Sequence, residues 1–185
     1  MFDVKVTVNG KSVHLGYDAV VDIMFSIPDK KRFNNIIREF AKSPIPQVRM
    51  EVASRSAINK EIVDILLEDI QIDVLRNLVS NHRARRMIPE STLLRLVRTH
   101  DFEILETIAE NIDQFSMCDP GIIAENICRS ENPKVRDLLA ENEFVGKKVL
   151  EILCHDDDKE IAVKARITLE RLEEEVELDP EDEEI

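Results

Sequence analysis

The 185-residue sequence contains no tryptophan, one tyrosine and only four glycines. A phosphate-binding loop needs several glycines at fixed spacing, and the sequence has no such run. Three cysteines cannot all pair within one chain, so a complete disulfide framework is excluded and a reducing compartment is favoured. We therefore expect neither a structural disulfide nor a glycine-rich nucleotide site.

Long apolar runs are also missing. No stretch approaches the roughly 18 apolar residues that span a bilayer, and the N-terminal segment MFDVKVTV has neither the basic nor the apolar region of a signal peptide. These absences predict a cytoplasmic protein with no membrane partner. The hydrophobic content of 43% is ordinary for a single domain with its own core.

Basic residues are scarce in the second half of the chain. The formal net charge is -13, yet residues 1–100 hold 16 Lys and Arg against 12 Asp and Glu, whereas residues 101–185 hold 9 against 26. Nine of the acidic residues fall in the last 13 positions, EEEVELDPEDEEI. Such a run repels itself and buries almost no apolar surface. We therefore expect residues 173–185 to form an acidic, disordered tail.

One pattern recurs five times along the chain. Each copy has a first apolar anchor and a second anchor eight positions later, and the pairs are Phe40 and Val48, Leu66 and Val74, Leu96 and Ile104, Ile127 and Val135, and Leu153 and Ile161. Three residues after each first anchor stands a potential helix-capping residue: Ser43, Asp69, Thr99, Ser130 and Asp156. The repeating unit is therefore predicted to be helix, cap, helix.

Both helices of the unit are amphipathic, with apolar residues spaced three or four positions apart around each anchor. Neither helix could bury its apolar face alone, so successive pairs must stack. This predicts a mainly α fold, a right-handed α-α superhelix of about five helix pairs over residues 27–172. One equivalent position, where a left-handed residue is expected to end the helix that follows each cap, holds Asn81, Asn111 and Asn142.

The pattern D/S-x-x-x-x-V-R-x-x-x-A, followed by Asn, a turn and a leucine-rich helix, resembles HEAT-like α-solenoids, and among them the bacterial leucine-rich repeat variant family. The resemblance covers roughly residues 29–172 and implies an interaction scaffold. The anchors are separated by 26, 30, 31 and 26 residues, so these repeats are longer than the short unit of that family. The cysteine cluster that binds iron and sulfur in one family member has no counterpart, so no cofactor is implied.

Residues 1–26 differ from the repeats. In FDVKVTVNGKSVHLGY, Asn-Gly separates two alternating segments, which predicts a hairpin with Val6 opposite Val13, Val4 opposite Leu15 and Phe2 opposite Tyr17. All the large apolar residues then share one face. We expect the hairpin and the short helix after it to pack on the open end of the solenoid as a cap. Pairing of the hairpin edge with another chain is the alternative.

Catalytic and metal-binding motifs are absent from the sequence. Cys128 and Cys154 stand at core positions of the repeat, and the segment CHDDD combines a predicted core residue with a predicted cap. HEAT-like hydroxylases carry His-Glu pairs and HEAT-like glycosylases use aromatic residues, and this chain offers neither; the bilin lyases of this class have no crisp motif to test. We predict no enzyme activity, no metal and no cofactor, with a HEAT-type lyase as the third alternative for function.

The remaining candidate site is basic. Two repeat junctions are longer than the others, SNHRARRMIPES and ENIDQFSMCDPG, and insertions in repeat proteins often form binding edges. Within and beside the first insertion, six arginines oppose the single acid Glu90: Arg76, Arg83, Arg85, Arg86, Arg95 and Arg98. Together they could hold carboxylates or phosphates.

Several occupants of this arginine patch are open. We favour a protein partner with an acidic segment, because no Phe, Tyr or Trp lies between Val74 and Arg98 to stack on bases. Nucleic acid or another polyanion is the alternative, and its affinity would fall steeply with salt. The acidic tail could also fill the patch in the same or a neighbouring molecule. Finally, the arginines could simply be solvated.

Overall fold

The computed structural model describes residues 3–178, with side chains for residues 3–174. In that part of the chain the fold is mainly helical with an antiparallel N-terminal hairpin, β1 (Lys5–Val8) and β2 (Lys11–His14), which confirms the predicted class at that level. The twelve α-helices in the described residues are α1 (Tyr17–Ser26), α2 (Asn34–Phe40), α3 (Pro46–Ser54), α4 (Lys60–Leu67), α5 (Ile72–Ser80), α6 (His82–Arg85), α7 (Glu90–Val97), α8 (Phe102–Glu110), α9 (Pro120–Ile127), α10 (Pro133–Ala140), α11 (Lys147–Leu153) and α12 (Lys159–Leu178).

The chain divides between Ile88 and Pro89 into two compact units. In the first unit α1 packs on α3 and α3 on α5, while α2 packs on α4 in a second row that covers the first. The second unit has α8, α10 and α12 in one row and α7, α9 and α11 in the other. All ten anchor residues of the repeat are at most 5% exposed, which confirms that the anchors form the core of each unit.

The five predicted capping residues close turns instead of capping helices. Each lies three positions before the first residue of a helix and accepts the backbone N–H of the residue that directly precedes the helix. The acceptors and distances are Ser43 (3.2 Å), Asp69 (2.9 Å), Thr99 (3.3 Å), Ser130 (3.2 Å) and Asp156 (2.9 Å). Asp101 and Asn132 cap α8 and α10 in their place. The prediction of caps was therefore wrong by two residues, because these side chains form local turns as readily as they cap.

The predicted left-handed asparagines are also corrected. Asn81, Asn111 and Asn142 have φ values of -78°, -126° and -101°, so none is left-handed. Asn81 and Asn142 instead accept backbone N–H groups of the short helical turns that follow them. The chain thus bends directly from one helical segment into the next, and the side chain satisfies N–H groups that would otherwise lack partners.

Polar side chains at one repeat position tie neighbouring helices together. Three of them, each fifteen residues after a first anchor, donate to carbonyl oxygens at the C-terminal end of the preceding helix in the row. The bonds are Arg55 Nη2 to the Met24 oxygen (2.6 Å), Asn81 Nδ2 to the Ala53 oxygen (2.7 Å) and Thr168 Oγ1 to the Ala140 oxygen (2.7 Å). Arg55 thus contacts the end of α1 as Asn81 contacts the end of α3, so α1 packs in the same row as α3 and α5 in the first unit.

The predicted hairpin register is confirmed within the described residues. Val6 pairs with Val13, and the N–H of Leu15 donates to the Val4 oxygen at 2.9 Å. Asn9 and Gly10 have φ values of 52° and 77°, as a two-residue type I′ turn requires. The predicted partner of Tyr17, Phe2, lies outside the described residues.

The apolar face of the hairpin is not covered as expected. Val6 is 40% exposed, and Val8 and Val13 are each 63% exposed. Between the hairpin and helices α1 and α2 lies an open groove of about 910 Å³, lined on its apolar side by Ile23 and Ile36 among others. The hairpin therefore stands beside the helices without laying its strand residues on them.

Helix α12 extends the ordered structure past the predicted boundary. It runs to Leu178, so residues 173–178 of the expected disordered tail have a helical backbone, and residues 179–185 lie outside the described residues. A helix can continue here because Glu, Leu and Arg have high helix propensity. None of the described helices is both long and apolar enough to cross a membrane.

Candidate binding surface

The six arginines of the predicted patch are divided between the two units. Arg76, Arg83, Arg85 and Arg86 belong to the first unit, and Arg95 and Arg98 belong to the second. Their environments differ from one arginine to the next.

Arg85 is buried, contrary to its expected place on a solvated turn. It ends α6 and is 7% exposed. Its Nε donates to the Val79 oxygen and its Nη2 to the Ser80 oxygen, both at 2.9 Å. These carbonyls belong to the last turn of α5 and have no partner within that helix. Arg85 therefore holds α6 against the end of α5, and it is not available to a ligand.

Arg76 has a partner of its own on α5. Its Nη1 lies 3.0 Å from Oδ1 of Asp73, one turn earlier on the same helix, and its side chain is 31% exposed. The carboxylate of Asp73 already satisfies part of this guanidinium. Arg76 is therefore a weaker candidate for binding than the arginines of α6.

His82, Arg83 and Arg86 project into solvent from α6 and the residue after it, and we call these three residues the α6 surface. Among the residues that the structure describes, no carboxylate forms an ion pair with Arg83 or Arg86. Both guanidinium groups thus keep their hydrogen-bond donors for water or a ligand.

Asn81 fixes the position of the α6 surface. Its Oδ1 accepts the N–H groups of Arg83 (2.9 Å) and Ala84 (3.3 Å), while its Nδ2 donates to the oxygens of Ala53 (2.7 Å) and Arg55 (2.8 Å). The side chain is almost fully buried, at 7% exposure. One asparagine thus joins α6 to the end of α3, so the exposed arginines stand on a rigid support.

In the second unit, Arg95 and Arg98 are exposed at the end of α7. Arg98 stands two positions after its anchor, and Arg129 and His155 occupy the same repeat position after α9 and α11. Cationic side chains at a helix C-terminus interact favourably with the helix dipole. The position at a helix C-terminus is therefore a reason for the charge of Arg98 and Arg129 that requires no ligand.

Two further features near the C-terminal ends of α7 and α9 were not predicted from the sequence. A cavity of about 400 Å³ is lined by His100, Phe102 and Arg129, among other residues. His100 has a φ of 55°, which is uncommon for a residue with a side chain. The corresponding turns of the other repeats contain no such residue in the described chain.

The cysteines show no sign of an activated thiol. Burial, together with the charge of Glu90, raises the pKa of Cys118 to about 11. Cys128 and Cys154 are buried at 2% and 9% exposure, which confirms their predicted core positions, and burial raises the pKa of each. In residues 3–174 no group of three or more His, Cys, Asp and Glu side chains is arranged to hold a metal ion.

Arg49 links two neighbouring turns of the first unit, a role that was not predicted from the sequence. Its Nε and Nη2 contact both oxygens of Asp69, at 2.5 and 3.0 Å, and its Nη1 donates to the Ser43 oxygen at 2.7 Å. Burial raises the pKa of Asp69, but hydrogen bonds from Arg49 and the N–H of Gln71 outweigh burial and hold the pKa below 3.8. The Val-Arg dipeptide that recurs in the repeat could have indicated this ion pair from the sequence.

No known protein family, curated protein or solved structure matches this chain. The resemblance to HEAT-like repeats therefore stays a prediction that depends on the sequence pattern alone.

Proposed function

We propose that this chain is a cytoplasmic HEAT-like α-solenoid that acts as a non-catalytic protein-interaction scaffold, and that it binds an acidic segment of a partner through the α6 surface. The observation that carries the proposal is a pair of exposed arginines, Arg83 on α6 and Arg86 directly after it, that have no ion-pair partner among the described residues, on a segment that Asn81 anchors to α3. The right-handed stacking of all the helix pairs into one superhelix is part of the proposal.

The geometry of α6 favours an extended carboxylate ligand. Arg83 and Arg86 are three positions apart, so one helical turn separates their side chains and both point to the same side. Each guanidinium can hold one carboxylate through two parallel hydrogen bonds, which lysine cannot do. Because α6 is already held in place, its backbone loses little conformational entropy when a ligand binds, and the cost of ordering is that of the two arginine side chains.

Nucleic acid is the competing ligand, and it is less favoured because this basic window has no aromatic residue on which bases could stack. The two ligands are separable in solution. A labelled poly-glutamate peptide and a single-stranded DNA of similar charge are titrated with the full-length chain, and fluorescence anisotropy reports binding.

The decisive variant is Arg83→Ala with Arg86→Ala. We expect its affinity for the peptide to fall at least about tenfold, since one charge-assisted hydrogen bond is worth roughly 1.5 kcal/mol. Arg83→Lys with Arg86→Lys keeps the charge and should recover only part of the affinity. Lys11→Ala with Lys60→Ala removes the same charge elsewhere in the first unit and serves as the control. Equal peptide affinity in all four proteins would overturn the proposal, and tighter binding of the DNA would replace it by the alternative.

A further inference from the structure

Helix α12 carries apolar side chains on the side that faces solvent. Val163 and Ile167, one turn apart, are 50% and 53% exposed. The opposite side of the helix packs into the unit through Ile161, Ala165 and Thr168, each at most 2% exposed. A surface helix normally keeps its outward side polar, so this second apolar stripe has no role in the packing of its own unit.

The equivalent positions of the neighbouring helices are polar. Two and six residues after the second anchor stand Glu106 and Glu110 on α8, Asp137 on α10 and Glu141 directly after it, and Val163 and Ile167 on α12. The change to large apolar residues is therefore specific to α12 within the second unit.

These positions are also where one helix of the row contacts the next. Nζ of Lys134 on α10 lies 2.6 Å from Oε2 of Glu106 on α8. Nζ of Lys164 on α12 likewise lies 2.6 Å from Oδ1 of Asp137 on α10. Within the described residues no element covers the corresponding side of α12, as the exposure of its apolar pair shows. The side of the helix that elsewhere accepts a neighbouring helix is thus open and apolar here.

Charge along this open side changes sign from one end to the other. At 100° per residue, Lys159 shares the side of Val163 towards the N-terminus of α12, and Glu170 and Glu174 share it further along. Arg166 lies between Val163 and Ile167, and its Nη2 donates to the Cys154 oxygen of its own unit at 3.1 Å. Lys159, Glu170 and Glu174 are exposed. A side ordered basic, apolar, acidic is complementary to itself when a second copy runs in the opposite direction.

We propose that α12 is a dimerisation helix that packs antiparallel against α12 of a second copy of this chain. A two-fold axis at the level of Ala165 places Val163 against the partner's Ile167 and brings Lys159 within reach of the partner's Glu170. Because the axis repeats every contact, the interface has two apolar pairs and two ion pairs. The inference is independent of the proposed function of the α6 surface.

The first test is the mass of the full-length chain in solution, measured by sedimentation equilibrium over a wide range of concentrations. We expect the mass to rise from 21.3 kDa towards twice that value. Ile167→Glu puts a charge in the apolar contact and should raise the dimer dissociation constant at least about tenfold. Ile122→Glu, at an exposed apolar position on α9, is the matched control and should dimerise normally.

The second test is a charge exchange between chains. Lys159→Glu alone and Glu170→Lys alone each create two like-charge contacts in a homodimer, so each should dimerise more weakly. An equimolar mixture of the two variants restores opposite charges at both contacts and should form heterodimers. Lys148→Glu, a reversal on α11 in the same unit, is the control. Circular dichroism verifies the fold of every variant.

Three results would overturn the proposal. The wild-type chain could remain at 21.3 kDa at every concentration, in which case a second copy is not the occupant. The Ile167→Glu variant could dimerise as the wild type does, which would place the interface elsewhere. The mixture of charge variants could fail to recover the dimer, which would exclude the antiparallel register.

Discussion

Arg136 and Asp156 join two neighbouring repeats of the second unit through both oxygens of the carboxylate. Nε of Arg136 lies 2.7 Å from Oδ2 of Asp156, and Nη2 lies 3.2 Å from Oδ1. Nη1 of the same arginine donates to the Ser130 oxygen at 2.7 Å. Arg49 makes the same three contacts in the first unit, which shows that the repeat itself specifies this arrangement.

Replacing Arg136 should destabilise the second unit. The side chains of Arg136 and Asp156 are 18% and 6% exposed, so Arg136→Ala leaves a mostly buried carboxylate without its partner. We expect the free energy of unfolding in urea to fall by about 3 kcal/mol. The control is Lys148→Ala, whose pair with Glu125 is exposed at 70% and 42% and should contribute no measurable stability. An equal change in the free energy of unfolding for the two substitutions would show that the buried pair contributes no more to stability than the exposed pair.

The same pairs make stability depend on pH in the acid range. Burial raises the pKa of Asp156, but hydrogen bonds from Arg136 and the N–H of Asp158 outweigh it, and the folded-state pKa lies below 3.8, as it does for Asp69. The unfolded chain then binds more protons than the folded chain in this range, so stability rises with pH. The contribution is present above the unfolded-state pKa and is lost as pH falls through the lower folded-state pKa.

Thermal unfolding between neutral pH and about pH 2.5 measures this dependence. We expect the melting temperature of the wild type to fall steeply below pH 4. Asp69→Asn with Asp156→Asn should be less stable at neutral pH and should lose less on acidification. Parallel pH curves for the variant and the wild type would assign the acid sensitivity to other carboxylates.

The core and the hairpin were predictable because each depends on a short-range pattern. The two anchors of each repeat lie on successive helices at a fixed spacing of eight, and around each anchor apolar residues recur three or four positions apart, as burial of one helical face requires. The Asn9-Gly10 turn determines the strand register by itself, since few other dipeptides accept two positive φ values. The exposure of the apolar face of the hairpin was not predictable from the sequence, because it depends on where the strands lie relative to α1 and α2.

The side-chain hydrogen bonds between neighbouring helices were not predicted, for a different reason. Arg55, Asn81 and Thr168 share a repeat position but not a residue type, and each donates to a carbonyl oxygen near the end of the preceding helix with a different group. A search for identical residues does not find such a position. A search for any hydrogen-bond donor fifteen residues after the anchor would find it.

The candidate site was predicted in composition but not in detail. Charge density located the segment around α6, yet charge alone does not distinguish Arg83, which faces solvent, from Arg85, which is buried against α5. The two arginines are two positions apart and therefore lie on different sides of a helical turn. A segment predicted to be a turn places both arginines at the surface, whereas the helical turn of α6 separates them.

The contrast between Arg85 and Arg83 is directly testable. Arg85→Ala removes the donors to the Val79 and Ser80 carbonyls, and we expect a loss of about 2 kcal/mol in the free energy of unfolding. Arg85→Met keeps the apolar stem and loses only the hydrogen bonds, so its cost should be smaller. Arg83→Ala should leave stability unchanged and weaken only the binding of the acidic peptide. If Arg85→Met kept full stability while its peptide affinity fell as far as that of Arg83→Ala, Arg85 would belong to the binding surface after all.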